Sequence, residues 1–178
     1  DAALYWLARM LAGGEDPYFI CRRLIRTAVE DIGMADPQAL LQAIASWQSY
    51  ERLGAPEGEL VIAYCVVYLA TSPKSNSVYR AFGSSLEAAK SSGSLMPPKH
   101  ILNAPTQFMK DLGYGEEYSY DHSTKDGFSG QNYFPDSLER QNFYKPTDRG
   151  FESEISKRLS FWQNLRNKSI NSLKNRDD

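Results

Sequence analysis

Cysteine, histidine and net charge are all scarce in this chain of 178 residues, and each shortage removes a class of function. Cys21 and Cys65 are the only cysteines, and both lie in apolar helical runs. That fits buried free thiols and leaves no disulfide framework. The two histidines, His100 and His122, stand at metal-ligand spacing neither from each other nor from a cysteine, so no zinc motif is legible. Twenty basic side chains face 22 acidic ones, giving a net charge of -2 and a pI near 5.8. No global cationic field exists to gather nucleic acid, and any such contact must be local. The longest uncharged apolar run covers positions 60–70 and is too short for a bilayer. No secretory or transit signal opens the chain, nor does an initiator methionine. Asp1 reads as lying mid-helix, so the expectation is a piece of a longer protein.

Catalytic patterns are missing too. A nucleotide hydrolase needs a glycine-rich loop ending in Gly-Lys-Ser/Thr, because backbone N–H groups reach phosphates only where side chains are absent. Lys74-Ser75 imitates the last two letters, but Ser72 and Pro73 replace the glycines, and proline removes a donor. Gly127-Phe128-Ser129-Gly130 lacks the spacing of a nucleophile elbow. The adjacent carboxylates Glu30-Asp31 and Glu116-Glu117 point apart on a helix, and capping or a solvated surface is the plainer reading.

What is present is helical. Leu4, Leu7, Ala8 and Leu11 recur at helical spacing before Gly13-Gly14. Asp16-Pro17 opens a second helix with Ile20, Leu24, Ile25, Ala28, Val29 and Ile32 inward, closed by Gly33. Asp36-Pro37 starts a third in the same way, the Asp oxygen accepting N–H groups while Pro sits where no N–H is needed. Leu40, Ile44 and Trp47 follow down one side, with Glu51 extending it. A fourth covers 57–71 and is oily on every side, which predicts a place at the centre of the domain. Its Val and Ile content makes a buried strand the rival reading, but length and an acidic first turn favour helix. Ser72-Pro73 is expected to cap a fifth helix with Val78, Tyr79, Phe82 and Leu86 inward. These five form an all-α bundle.

Beyond Leu95 the style changes to an irregular, loop-rich layer broken by proline and glycine. One short helix is predicted over 105–112, and a small hairpin from 118–120 with 131–134. Phe151, Ile155, Leu159, Trp162, Leu165 and Ile170 then mark a long amphipathic C-terminal helix.

Charge segregates locally. Positions 116–139 hold six acidic residues against Lys125, and 149–178 hold seven basic against four acidic. Arg22, Arg23 and Arg26 form one basic face, with Glu30 a turn beyond Arg26. Lys157, Arg158, Arg166 and Lys168 form another around Phe161 and Trp162. Each is either an ion-paired surface or a contact with DNA, nucleotide or a neighbouring subunit; stacking by Trp162 is discounted because its stripe points to the core. The corner Lys74, Ser75 and Asn76 with Tyr79, and the polar loops carrying His100, Asn103, Tyr118, Tyr120 and His122, are candidates for a partner or inter-subunit surface. Local capping is the competing reading. A small enzyme using His100/Asn103 with Tyr118/Asp121/His122 is a third.

Four ordered blocks together resemble one family: ALYWLARMLAGGEDPYFICRRLIRTAVEDIGMADPQAL, PEGELVIAYCVVYLATSPKSNSVY, PPKHILNAPTQFMKDLGYGEEYSYDH and YKPTDRGFESEISKRLSFW. They are similar to the C-terminal region of the RarA/MgsA replication-associated recombination ATPases, relatives of the Werner-helicase-interacting protein. Cys21 and Thr27 depart from the small or aromatic residues expected there, and 167–178 look divergent. The resemblance implies a clamp-loader-like AAA+ protein whose ATPase core, with ATP and Mg, precedes this region. It implies no cofactor or catalytic residue here, residues 1–34 as the end of the lid-associated helical segment, and 35–178 as a helical domain joining a homotetramer. For the whole protein it implies DNA and single-strand-binding protein as partners, and a cytoplasmic, nucleoid-associated location. From this the expected function is a non-catalytic oligomerisation and interaction domain; direct single-strand or DNA-end binding through the basic faces is the alternative.

Overall fold

Glycine and proline punctuate the first part of the chain where the spacing predicts, and the helices lie between them. The structure, a computed structural model, describes residues 1–174, with side chains as far as Lys168. It is all-helical, with no strand among the described residues. In order come α1 (Ala2–Ala12), α2 (Pro17–Thr27), α3 (Gln38–Leu53), α4 (Glu57–Thr71), α5 (Ser77–Ser92), α6 (Gln107–Asp111) and α7 (Glu152–Lys174). Asp16 Oδ1 accepts from Tyr18 N at 2.9 Å and Asp36 Oδ1 from Gln38 N at 3.0 Å, so both Asp-Pro pairs start helices as expected. Between α2 and α3 the chain widens into a π-type turn, Ala28–Ile32, then tightens over Gly33–Ala35. None of these helices is long and apolar enough to cross a membrane.

The chain divides into two compact units, residues 1–84 with 143–156, and 85–142 with 157 onward. Unit one holds two adjoining buried clusters. Leu7, Ile20 and Cys21 meet Tyr50, Ile62 and Val66; Ala28 and Ile32 meet Ala39, Ala43, Cys65 and Leu69. Residues 1–34 thus pack into the same core as α3 and α4. Fully buried Ile62 and Ile32 each stabilise by about 1.5–3 kcal/mol relative to exposure.

Three expectations for unit one are corrected. The fully buried stripe of α3 is Ala39, Ala43, Ser46 and Tyr50; of the expected side, Trp47 packs half-buried against the core and Leu40 is half-buried, while Ile44 and Glu51 are exposed. Small residues win because α3 and α4 approach closely: a Cβ on Gly58 would stand 2.6 Å from the Tyr50 ring. Helix α4 buries Ile62, Cys65, Val66 and Leu69, but its opposite side is open, with Leu60 77% and Tyr64 60% exposed. Helix α5 begins at Ser77, not at Ser72-Pro73, and Tyr79, Phe82 and Leu86 face solvent. Ser72 Oγ turns back to Tyr68 O at 2.8 Å, and Lys74 Nζ caps α4 through Leu69 O at 2.7 Å. The corner finishes α4 before α5 can start.

Unit two is built from turns. Thr106 Oγ1 caps α6 by accepting from Met109 N at 3.2 Å. The expected hairpin is absent because the Gln131 side chain takes the place of a ladder. Its Oε1 accepts from Ser119 N at 3.0 Å and its Nε2 donates to Glu117 O at 2.7 Å. The two segments are neighbours without backbone pairing. On α7, Ile155, Leu159 and Leu165 are half-buried as the stripe predicts, but Trp162 is 40% exposed. The side chain of Ile170 and the divergent positions 175–178 lie outside the described residues.

Candidate functional site

The family-like corner at 72–77 converges on one carboxylate. Glu152, the first residue of α7, is completely buried in unit one. Its Oε2 accepts from Ser75 Oγ (2.7 Å), Thr147 N (2.7 Å) and Thr147 Oγ1 (2.8 Å), and its Oε1 from Tyr144 OH (2.8 Å). Ser75 N donates to Asp31 O at 2.8 Å, and Phe151 N to Ala35 O at 2.8 Å. The segment 144–152 is thereby tied to the turn before α3 and to the corner after α4. Burial alone pushes the Glu152 carboxyl up, but the bonds from Ser75, Thr147 and Tyr144 outweigh it and hold the group below the usual carboxylate range. Burial, then the bond to Glu152, pushes the Tyr144 hydroxyl up. A position at the start of a helix favours the anion further.

Four neutral donors occupy this carboxylate, so the arrangement is a structural joint and not a vacant acid. Sequence reasoning passed over Glu152; its one signal was an acid in a first helical turn, and periodicity says nothing of its burial. The joint also bears on the likeness of Lys74-Ser75 to the end of a phosphate loop. The Lys74 ammonium is spent on the carbonyls of Leu69 in α4 and of Ser72 just beyond it, and Ser75 faces a carboxylate that would repel phosphate. These residues do not fit a nucleotide phosphate cradle. Among the described residues, no three His, Cys, Asp or Glu side chains are grouped as metal ligands would be.

Other candidates divide between the units. In unit one, Asn76 is exposed, its carbonyl accepting from Arg80 N at 3.0 Å to begin α5, and Tyr79 lies exposed under the Arg26 guanidinium, 5.7 Å away. In unit two, Gly115 N donates to Lys99 O at 2.9 Å, which brings the His100 loop beside the one leading to Tyr118. The His100 ring stands 5.9 Å from Tyr133, with its Nε2 buried and without a hydrogen-bond partner. Tyr133 OH is 3.3 Å from Ser129 Oγ, and Ser129 N donates to Asp121 Oδ1 at 2.7 Å. The Ser129 hydroxyl and then its N–H hold Asp121 below the usual carboxylate range. Tyr120 and His122 pair at 5.1 Å, while Asn103 and Tyr118 are exposed.

The basic faces differ in how far they are neutralised. Arg22 lies 3.8 Å from Asp16 and over Phe19; Arg26 pairs with Glu30. Only Arg23 of that trio has no ion pair among the described residues. Lys157 and Arg158 are exposed on α7. Further along α7, Arg166 donates from Nε to Gly130 O (3.4 Å) and from Nη1 to Gln163 Oε1 (2.8 Å), and its guanidinium lies 5.2 Å over the Phe128 ring. Phe128 in turn stacks on Trp162 at 6.0 Å and 13°. Burial, then the neighbouring Arg140 cation, lowers the proton affinity of Arg166.

These features define a helical domain whose family-like polar corner is internal architecture. The chain belongs to the family described as MgsA AAA+ ATPase C terminal, whose model matches residues 1–163. It is 50% identical over 166 residues to the replication-associated recombination protein A of Coxiella burnetii, covering 93% of this chain and 38% of that protein. Against the protein of the same name in Escherichia coli K12 it is 45% identical over 162 residues, covering 90% and 36%. It is 40% identical over 146 residues to "ATPase WRNIP1" of Dictyostelium discoideum, covering 82% and 17%. The chain thus spans less than two fifths of these curated relatives.

Proposed function

We propose that this chain is a non-catalytic oligomerisation and interaction domain of a clamp-loader-like AAA+ ATPase working in replication and recombination. The observation that carries the reading is the open side of α4. Leu60, Tyr64 and Val67 recur at helical spacing and are 77%, 60% and 44% exposed, on a helix with no charge from Leu60 to Thr71. A contiguous apolar helix face of this kind marks a protein contact rather than a solvated surface. Exposed Tyr5 and Trp6 on α1 add to the greasy area of the same unit. The Arg22/Arg26 face, by contrast, is already neutralised by Asp16 and Glu30, which favours assembly over DNA contact at α2.

Four copies would hold four ATPase modules around one DNA substrate, with ATP and Mg bound outside this chain and single-strand-binding protein and DNA as partners of the whole protein. Residues 1–34 belong in this reading to the lid-associated segment, and the location is cytoplasmic. An obligate contact buries about 2,000 Å² or more with an apolar centre. Light scattering on the chain at physiological salt should give a multiple of 20.1 kDa. Leu60→Glu with Tyr64→Arg should return it to a folded monomer. A wild-type chain that stays monomeric at high micromolar concentration overturns the reading.

A further inference from the structure

We propose that the aromatic ledge formed by Tyr18 and Trp47 in unit one, with the Glu51 carboxylate at its rim, receives an arginine side chain from a basic segment of a protein partner. The inference does not depend on the assembly reading. Three helix ends meet at this place. Tyr50, near the end of α3, has the Tyr18 ring from the start of α2 edge-on at 5.3 Å, and Gly58 in the first turn of α4 comes so close that a Cβ there would stand 2.6 Å from the Tyr50 ring. Tyr50 itself is buried. The open part of the cluster is Tyr18, 38% exposed, and the half-buried Trp47, whose ring lies 5.8 Å from Tyr18 at 55°. Trp47 Nε1 donates to Glu51 Oε1 at 2.6 Å, which fixes an exposed carboxylate beside the indole.

The chain's own arginines show what such a pair takes. Arg22 lies 5.8 Å over the Phe19 ring and 3.8 Å from the Asp16 carboxylate, and Arg26 lies 5.7 Å over Tyr79 while pairing with Glu30. In both, a ring and an acid share one guanidinium. Trp47 and Glu51 form a third ring-and-acid pair, and among the described residues no cation lies over the indole and no basic group pairs with Glu51. Indole is the strongest of the aromatic side chains for holding a cation. The surroundings are acidic as well. The same helix ends carry Glu15, Asp16, Glu57 and Glu59, of which only Asp16 has an ion pair among the described residues. Arg52, next to Glu51 in the chain, is turned back to Gln48 O at 2.7 Å. Burial first, then Tyr18, Glu59 and Asp16, hold the Tyr50 proton above the usual value of 10, so the negative field reaches the cluster. Arginine fits better than lysine, because a planar guanidinium can lie on the indole while its fork reaches the carboxylate. An apolar partner would bury Glu51 without a counter-charge, and a nucleic acid would be repelled.

Fluorescence anisotropy of a labelled peptide of four arginines spaced by glycine and serine, titrated with the 178-residue chain, tests the site. Binding should weaken with salt. Glu51→Gln, which keeps an acceptor for the indole N–H, should lower affinity by about five- to tenfold, and Tyr18→Leu by about two- to fivefold. Glu87→Gln, which removes an exposed carboxylate on α5, should have no effect. With 5-fluorotryptophan incorporated, the fluorine resonance of Trp47, assigned by elimination with Trp6→Phe and Trp162→Phe, should move as peptide is added while that of Trp6 stays. Circular dichroism on the same samples confirms that each variant is folded. Affinity unchanged in Glu51→Gln overturns the proposal. An equal fall in Glu87→Gln, or a Trp47 resonance that stays put at saturation, also overturns it, because binding is then unspecific charge attraction. So does loss of assembly in Glu51→Gln by light scattering, which would assign the ledge to a second copy of the chain.

Discussion

Ser75 and Glu152 are separated by 77 positions in the chain and joined by a 2.7 Å hydrogen bond in which neither side chain sees solvent. Removing the anion leaves Ser75, Thr147 and Tyr144 donating into a neutral group. Glu152→Gln should therefore cost about 3 kcal/mol at neutral pH, and Ser75→Ala about 1 kcal/mol. The carboxyl is depressed on folding, so its stabilisation is complete above the ordinary value of 4.5 and is lost as pH falls through the lower folded value. Urea unfolding from pH 7 to pH 3 checks this: the gap between wild type and Glu152→Gln should close at the acid end. A gap independent of pH would show that the charge contributes nothing.

Gly150 holds the joint closed from behind. Its φ is +53°, and a Cβ there would stand 2.1 Å from Ala35 O, the acceptor for Phe151 N, and 2.8 Å from Pro73 Cγ. Gly127 has a similar φ of +62° with nothing within 4 Å of such an atom. Gly127→Ala should cost only the backbone strain, about 1 kcal/mol, whereas Gly150→Ala must displace backbone and should cost several times more. Equal urea midpoints for the two variants would contradict the packing described here.

How much of this was legible beforehand depended on whether the deciding partner was local. Asp16-Pro17 and Asp36-Pro37 announced their helices because cap and donor are two residues apart. The four blocks, taken together and in order, announced the family. The face of α3 was misread because hydrophobicity ranks Ile44 and Trp47 above Ala43 and Ser46, while the close approach of Tyr50 to Gly58 rewards small size. Glu152 was illegible for a stronger reason: an acid can be buried only when several donors meet it, and two of them, Ser75 and Tyr144, lie on segments that only the fold brings together. The apolar stripe places Trp162 inside, but the indole is 40% exposed, with Phe128 beside it.

The two thiols make a chemical prediction. Burial first, then the nearby Cys65, Asp16 and Glu51, pushes Cys21 up to about 11, and burial also raises Cys65 against a bond from Ser46. At pH 8 the thiolate fraction of Cys21 is roughly a hundredfold below that of an ordinary cysteine, before access is considered. Ellman's reagent should find no reactive thiol in the native chain and two in guanidinium chloride. A thiol that reacts within minutes in the native state would show that the helix packing around α4 opens far more readily than its buried neighbours imply.

Tyr68 and Asp36 close the other end of the α3–α4 pair. Tyr68 OH donates to Asp36 Oδ2 at 2.7 Å, Ser72 Oγ reaches the same oxygen at 3.3 Å, and the opposite oxygen caps α3 through Gln38 N. Tyr68→Phe should cost about 1 kcal/mol, one hydrogen bond to a charged group, and Asp36→Ala about 2 kcal/mol because the cap is lost as well. Since both remove the same bond, the double variant should cost less than the sum by about 1 kcal/mol. The bond to Asp36, then burial, also holds the Tyr68 proton above the usual value of 10. Its contribution is thus complete below that pH and lost as pH rises through the higher folded value, so the cycle should give the same coupling at pH 7 and pH 9. Strict additivity at both would show that the hydroxyl and the carboxylate act independently.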